Sequence, residues 1–477
     1  MYKFPSGLKT AAAISFVVGL VLFIMGVFQS DGVVADIKAK GLESEVAKHH
    51  KEMSEARAKE AIANNEKAPI VFEDHSKEAQ AKEVEHLIHQ AENRPWAAIY
   101  IVAFMFLGIS LASLFFLAIQ HASSSGWSMV VVRVMEGIAS YLPVGGLIFF
   151  VILLLSGMHF NHLFHWMDGS LTHKYMIMNG DDNIKYVDEM VKGAVANPYY
   201  DSILGGKTAF LNVPFWLGRA AVFIGLWVFF LYKLTSLSAA LDKKPGDKKT
   251  WFSLRNNSAA FLVVFAVSSS VIAWDWLMSF DPHWFSTLYG WYSFSSYLTC
   301  AIATILLVSL YLRHIGVFPQ FRSDHQHDLT KFLFGFSMLW TYLWFSQFML
   351  IWYANIPEEV TYYYARFAEH KYLFLGMLIP NFVLPLLVLV SSVVKRKPKV
   401  VAIMSVIIIL GHYIDFFVML EPAATGASSS IGLPEVGAFC MFLGIFIFTV
   451  FTALTKRKAQ HTGSPYYHES EIFHYPF

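Results

Sequence analysis

Two acids stand in matching surroundings 140 residues apart. Asp275 opens the stretch Asp275-Trp276-Leu277-Met278-Ser279-Phe280-Asp281-Pro282, and Asp415 opens Asp415-Phe416-Phe417-Val418-Met419-Leu420-Glu421-Pro422. Each closes a long apolar run, with aromatics after the acid and an acid-proline pair at the same spacing. A charge at the bilayer centre costs about 2.5–3.5 kcal/mol on insertion scales, so acids kept inside apolar runs are candidates for chemistry. The plainer alternative is that both acids cap helices at the membrane interface. A repeat of this length has room for four membrane helices, which points to a duplicated bundle.

Other polar residues share these apolar runs. Arg219 lies about one and a half helical turns into the fourth run, and Lys233 nearer its other end. Arg133 and Glu136 are three apart in the third run and share one helix face, where they can neutralise each other. His412 precedes Asp415 by three residues, and Gln347 and Asn381 lie in the seventh and eighth runs. Arg219, Asp275, His412 and Asp415 gather toward one end, where His159, His162 and His165 can join them. An acid, a histidine that titrates near neutrality and a balancing cation are what a proton-passing site requires. Lys233 and the Arg133–Glu136 pair would extend a polar route toward the other side. The competing reading is structural: an Arg219–Asp275 pair between helices, and long basic side chains that snorkel.

The ligand sets for metals are thin. Cys300 and Cys440 are the only cysteines, with no Cys-x-x-Cys and no Cys-x-x-Cys-His, so an iron–sulfur cluster or covalent haem on this chain is excluded. His159 and His412 are the only plausible pair for a haem b, and both are expected close to the interface. His49, His50, His75, His86 and His89 fall on a charged segment and are expected to be solvated rather than metal-bound. No cofactor is therefore expected on this chain. The run Trp340, Tyr342, Trp344, Phe345, Phe348, Trp352, Tyr353 covers almost every face of one helix, the pattern of core and interface belt.

The elements that must position these residues are membrane helices. The chain is 56% hydrophobic and 15% charged, and apolar runs near twenty residues recur along it. Net charge is +1, and no basic cluster interleaved with stacking aromatics speaks for nucleic acid. Spans are expected at 9–28, 96–120, 128–157, 214–240, 257–280, 286–313, 331–355, 371–394, 399–420 and 434–454. The first is read as a retained span, because its apolar run is too long for a signal peptide and no small-x-small site follows it. Lys243, Lys244, Lys248, Lys249 and Arg255 share one loop, Arg313 and Arg322 another, and Lys395, Arg396, Lys397 and Lys399 a third. Lys456, Arg457 and Lys458 follow the last span, whereas the alternate short loops carry only Arg366 and Lys371. The positive-inside rule then places both termini in the cytoplasm and both acid-proline motifs outside. Residues 29–95 are expected to form an external helical hairpin broken near Pro69. Residues 158–213 are expected to form short helices against the membrane face, with Pro198 and Gly205-Gly206 as breakers.

Two stretches carry a resemblance. Trp274-Asp275-Trp276-Leu277-Met278-Ser279-Phe280-Asp281-Pro282-His283-Trp284-Phe285-Ser286-Thr287 and Gln347-Phe348-Met349-Leu350-Ile351-Trp352-Tyr353-Ala354-Asn355-Ile356-Pro357-Glu358-Glu359 resemble the membrane subunits of bacterial alternative complex III. These are similar to NrfD-type (polysulfide-reductase) membrane subunits. The resemblance covers the spans and not 29–95. It implies an all-α polytopic protein of about ten transmembrane helices, with two four-helix bundles related by a parallel pseudo-repeat plus flanking helices. The bundles would cover 96–280, with 158–213 inserted, and 281–422; residues 1–28, 29–95 and 423–477 would flank them. The charged hairpin and the long insertion make the chain look like the F subunit, the paralogue without an established quinol site.

The resemblance implies an integral subunit of a quinol:cytochrome c, or quinol:acceptor, oxidoreductase in a bacterial inner membrane, not catalytic alone. Haem c and iron–sulfur clusters would sit in partners: a multihaem cytochrome c, an iron–sulfur protein and a paralogous membrane subunit, with lipids around them and a terminal oxidase as a further partner. This chain would supply anchoring, subunit contacts and a proton route. The alternative is a quinol-binding NrfD-type subunit proper, with His159 as the candidate quinol ligand. A secondary transporter is the third reading, and the acids' placement near span ends, away from the midplane, speaks against it.

Overall fold

The computed structural model describes residues 2–48, 51, 77–178, 184–191, 194–426, 430–458 and 460–474. Ten helices among the described residues are long and apolar enough to cross a membrane, and the protein is an all-α polytopic membrane protein. In chain order they are α1 (Ser6–Lys40), α2 (Lys77–Ala122), the pair α3 (Val132–Ala139) and α4 (Leu142–Gly157), α5 (Val213–Lys243), α6 (Lys248–Trp276), α7 (Tyr289–His314) and α8 (Ser323–Ala354). After a surface helix α9 (Pro357–Glu369) come the broken span α10 (Lys371–Gly376) and α11 (Leu384–Leu389), then α12 (Pro398–Thr425) and α13 (Leu433–Thr455).

Burial ranks the helices by role. The apolar window of α2 is 94% buried and that of α7 89%, against 28% for α5 and 17% for α1. The first helix of each expected half is thus its axis. α2 packs on α3, α4 and α6, α7 packs on α8 and α12, and α2, α7 and α12 meet where the halves join. Helices α1 and α13 form an outer pair held by backbone approach. A Cβ on Gly19 would lie 2.3 Å from the Met441 amide nitrogen, and one on Gly437 2.4 Å from that of Phe23, so only glycine fits at either place. Small residues at such contacts are how membrane helices gain packing when lipid is as apolar as the neighbour.

Local sequence accounts for the breaks. Pro143 in the first turn of α4 suits a new helix start, and α3 ends three residues before it. Pro380 and Pro385 each lack an amide donor, and between α10 and α11 the chain makes a π-helical turn at Ile379–Val383. The hairpin differs from expectation in kind: α1 runs unbroken to Lys40 and α2 begins at Lys77, so its described arms are continuations of two spans. The expected break at Pro69, with His49, His50 and His75, lies outside the described residues.

Residues 158–213 were expected as short helices, and they also hold a sheet. Strands β1 (Tyr175–Met178), β2 (Ile184–Val187) and β3 (Ala194–Ala196) pair antiparallel in the order β2-β1-β3, with Tyr175 opposite both Val187 and Ala196. Short helices Gly169–Thr172 and Ser202–Lys207 flank it, capped by the side chains of Asp168 and Asp201. Lys207 Nζ donates to the carbonyl of Pro282, and His283 Nε2 lies 2.5 Å from Asp201 Oδ2, which fixes this segment over the end of the first acid motif. Asn93 binds the base of the hairpin to the same end: its amide spans the backbone of His162, and its Nδ2 donates to the Ala424 carbonyl. This is called the hairpin end below; the opposite, lysine-rich end is the basic end.

Candidate functional site

The two acids share a sequence pattern and have different surroundings. Asp275 is the penultimate residue of α6. Arg219 of α5 grips its carboxylate with both arms, Nε to Oδ2 at 2.7 Å and Nη2 to Oδ1 at 2.8 Å. The guanidinium also lies 4.0 Å from the ring centre of Phe210 and 4.2 Å from that of Phe215. The backbone carbonyl of Asp275 accepts from Trp216 Nε1 and Ser279 Oγ, and that of Trp276 accepts from Tyr100 Oη. A bidentate pair, with the last two carbonyls of the helix satisfied, is a neutral joint. The structure brings Arg219 and Asp275 together as a strut.

Asp415 lies deeper. The first motif's helix ends at Trp276, before its acid-proline pair, whereas α12 continues through Pro422 to Thr425, ten residues beyond Asp415 and roughly 15 Å of helix. This corrects the expectation that both acids lie near the span ends. The physical reason is Arg366 of α9. Proline has no amide, so the Val418 carbonyl one turn back loses its helical donor. Arg366 Nε donates to that carbonyl at 3.0 Å and Nη2 to the Met419 carbonyl at 2.7 Å, while the guanidinium lies on the Tyr362 ring. Arg366 was expected in a loop; it is 3% exposed and holds α12 together.

The carboxylate of Asp415 is surrounded by neutral donors. Tyr292 Oη donates to Oδ1, Ser296 Oγ donates to Oδ2 at 2.8 Å, and Trp340 Nε1 donates to Oδ2 at 2.9 Å. His412 Nδ1 is 3.2 Å from Oδ2, and the His412 ring stands edge-on to Trp340. Both acid and histidine are 0% exposed, so no solvent screens them. His412 Nε2 has no partner among the described residues, nor do the two amide atoms of Asn381 on the π-helical turn. Asn381 is packed against Gly411, next to His412: a Cβ on Gly411 would stand 2.3 Å from Asn381 Oδ1. Buried polar atoms without partners mark a place for water or a ligand. Tyr292, Ser296 and Trp340 were missed in sequence; Trp340 was assigned to the aromatic belt, whose outward members Tyr342, Trp352 and Tyr353 are indeed exposed.

The remaining candidates divide differently from expectation. Arg133 and Glu136 pair at 2.5 Å, and Arg457 reaches the same Glu136 oxygen at 3.0 Å. Arg133 also binds Asp242, Ser238 at 3.0 Å and His461 at 3.0 Å, which ties α3, α5 and the C-terminal tail together at the basic end. Lys233 is exposed on α5 and does not continue a polar route inward. Snorkelling along a lipid-facing helix explains it, the route being closed to a side chain on the outer face. His159 is exposed, with a φ of 61° in the turn that ends α4, and is not brought to His412. Its neighbours cluster instead: the rings of His89 and His162 stack at 4.1 Å, and His86 lies 6.3 Å from His165. Burial, then the nearby His86, holds the His165 ring below its ordinary value of 6.5; burial and then His89 do the same for His162. Among the described residues no group of three or more His, Cys, Asp or Glu side chains is arranged to hold a metal ion.

No known family model matches the chain, and no curated protein matches it.

Proposed function

We propose that the chain is an integral membrane subunit of a quinol:cytochrome c, or quinol:acceptor, oxidoreductase complex, and that Asp415 with His412 is its proton-binding site. The resemblance of the two quoted stretches supports the complex. The observation that carries the site is a buried carboxylate held by three neutral donors, beside a buried imidazole with an unpartnered Nε2. No arginine or lysine pairs with Asp415 among its hydrogen-bond partners, so a proton on the Asp415–His412 pair changes its charge without breaking an ion pair. A histidine beside a carboxylate is a side-chain set that can pass a proton between two bases. Asp275 has a different role, because neutralising it leaves Arg219 uncompensated.

In this reading the basic end faces the cytoplasm, both termini with it, by the lysine and arginine bias of its loops. Haem c, iron–sulfur clusters and the electron path belong to partner subunits: a multihaem cytochrome c, an iron–sulfur protein, a paralogous membrane subunit and a terminal oxidase. Phe160 and Met190, 62% and 77% exposed in the segment outside the spans, fit a surface that such a partner covers. Two experiments test this. Tagged protein purified from native membranes should carry multihaem and iron–sulfur subunits in constant ratio; a solitary protein would contradict the reading. A membrane-impermeant thiol reagent applied from outside should label Gly206→Cys and spare Lys244→Cys, and the reverse would invert the orientation.

A further inference from the structure

A cleft of about 410 Å³ opens at the basic end, between α4, α5 and α13 and over the break between α3 and α4. Its two poles differ in chemistry. Val144, Leu231 and Phe448 form the apolar wall, and Val144 and Phe448 are 38% and 53% exposed on the spans, so the cleft opens sideways toward lipid. The other pole carries Arg133, Lys456, Arg457 and Lys458. The carboxylates bound to these cations are Glu136 and Asp242. Four cations against two carboxylates leave an excess of two positive charges where the apolar wall ends. Arg133 Nε, itself buried, has no partner among the described residues.

We infer that this cleft is a binding site for an anionic phospholipid, with its phosphate among Lys456, Arg457 and Lys458 and an acyl chain along Val144, Leu231 and Phe448. An amphiphile with one negative head fits a cleft with one apolar and one cationic pole. Basic pockets between membrane helices recognise lipid headgroups by this combination. A neutral quinone would use the wall and leave the excess charge unanswered. The inference is independent of the proton site at Asp415, which lies in another part of the fold.

The test uses the full chain, delipidated in detergent and titrated with phosphatidylglycerol, phosphatidylcholine of the same acyl chains, or ubiquinone, with bound molecules read by native mass spectrometry. Phosphatidylglycerol should bind preferentially, and added salt should weaken it. Lys456→Gln with Lys458→Gln should lower that affinity about tenfold or more and leave phosphatidylcholine unchanged. Val144→Trp, which fills the wall, should expel the lipid with the lysines intact; if that variant unfolds in a thermal melt, the surface lysine pair alone decides. Equal binding of both phospholipids, ubiquinone competing as well as phosphatidylglycerol, or affinity untouched by the lysine changes would overturn the inference.

Discussion

Arg366 donates to the carbonyl of Val418, the one that Pro422 deprives of its helical amide. This contact lets α12 pass through a proline and so carries Asp415 into the bundle, whereas Asp275 stays at a helix end. Two similar sequence motifs thereby form two unlike sites: an ion-paired strut and a buried acid without an arginine or lysine partner.

That relationship makes a prediction about stability. Arg366→Leu removes donors to two buried carbonyls, each costing about 1–3 kcal/mol when left unsatisfied. The melting temperature of the detergent-purified chain should fall. Pro422→Ala returns an amide to Val418, so it should recover part of the loss in the Arg366→Leu background. Strictly additive effects in that double-mutant cycle would refute the coupling.

The strut behaves in its own way. Asp275→Asn should destabilise by up to about 3–5 kcal/mol, because it leaves Arg219, whose side chain is 10% exposed, without its counter-charge. Arg219→Gln added to it should restore assembly, read as subunit content on a native gel. Full assembly of the single variant would show that the pair is dispensable.

The span pattern was legible because membrane helices must satisfy their backbone internally and face lipid with apolar side chains, so ten runs and the loop charges mark them. The Arg219–Asp275 pair was legible too, as one of two alternatives for the same residues. Other features were hidden for physical reasons. Arg366 falls between spans and reads as a loop charge, since nothing local shows that it folds back onto α12. Pro422 reads as a stop, which holds only where no side chain replaces the missing amide. Tyr292, Ser296 and Trp340 look like ordinary helix residues, and only tertiary packing turns them toward Asp415. The strands at 175–196 are short and lie in a mixed segment where periodicity carries little signal.

The outer helix pair gives a third prediction. Gly19→Leu puts a side chain where the Met441 backbone already stands, so α1 should separate from α13 while the rest stays folded. A disulfide engineered between Ser15→Cys and Cys440 should form in the parent chain, where Ser15 Oγ already reaches the Cys440 carbonyl at 2.7 Å. It should fail to form in the Gly19→Leu variant. Efficient crosslinking there would show that the contact tolerates bulk.

The histidines at the hairpin base predict a pH effect with a definite sign. His162 and His165 are held below 6.5 in the folded protein, so above that pH both states are neutral and nothing is lost. As pH falls below about 6.5, His162 and His165 take up protons more readily with the hairpin detached than with it docked, and docking weakens. Glu92, Asp168 and Asp281 oppose the shift without reversing it. The protection factors of amides in residues 83–95, which remove the base-catalysed intrinsic rate, should fall between about pH 7.5 and about pH 5.5, and fall less after His165→Asn. Protection that rises on acidification would contradict the sign.

The most direct test of the proton site is Asp415→Asn in native membranes, with quinol oxidation and proton uptake measured together and subunit content checked by gel. The amide oxygen can still accept from Ser296 and Trp340, and its nitrogen can donate to the Tyr292 hydroxyl, but the group cannot change charge. The account predicts an intact complex whose coupled turnover drops by about tenfold or more, the scale of losing a positioned acid–base group. Normal turnover with normal proton movement in an intact Asp415→Asn complex would contradict it.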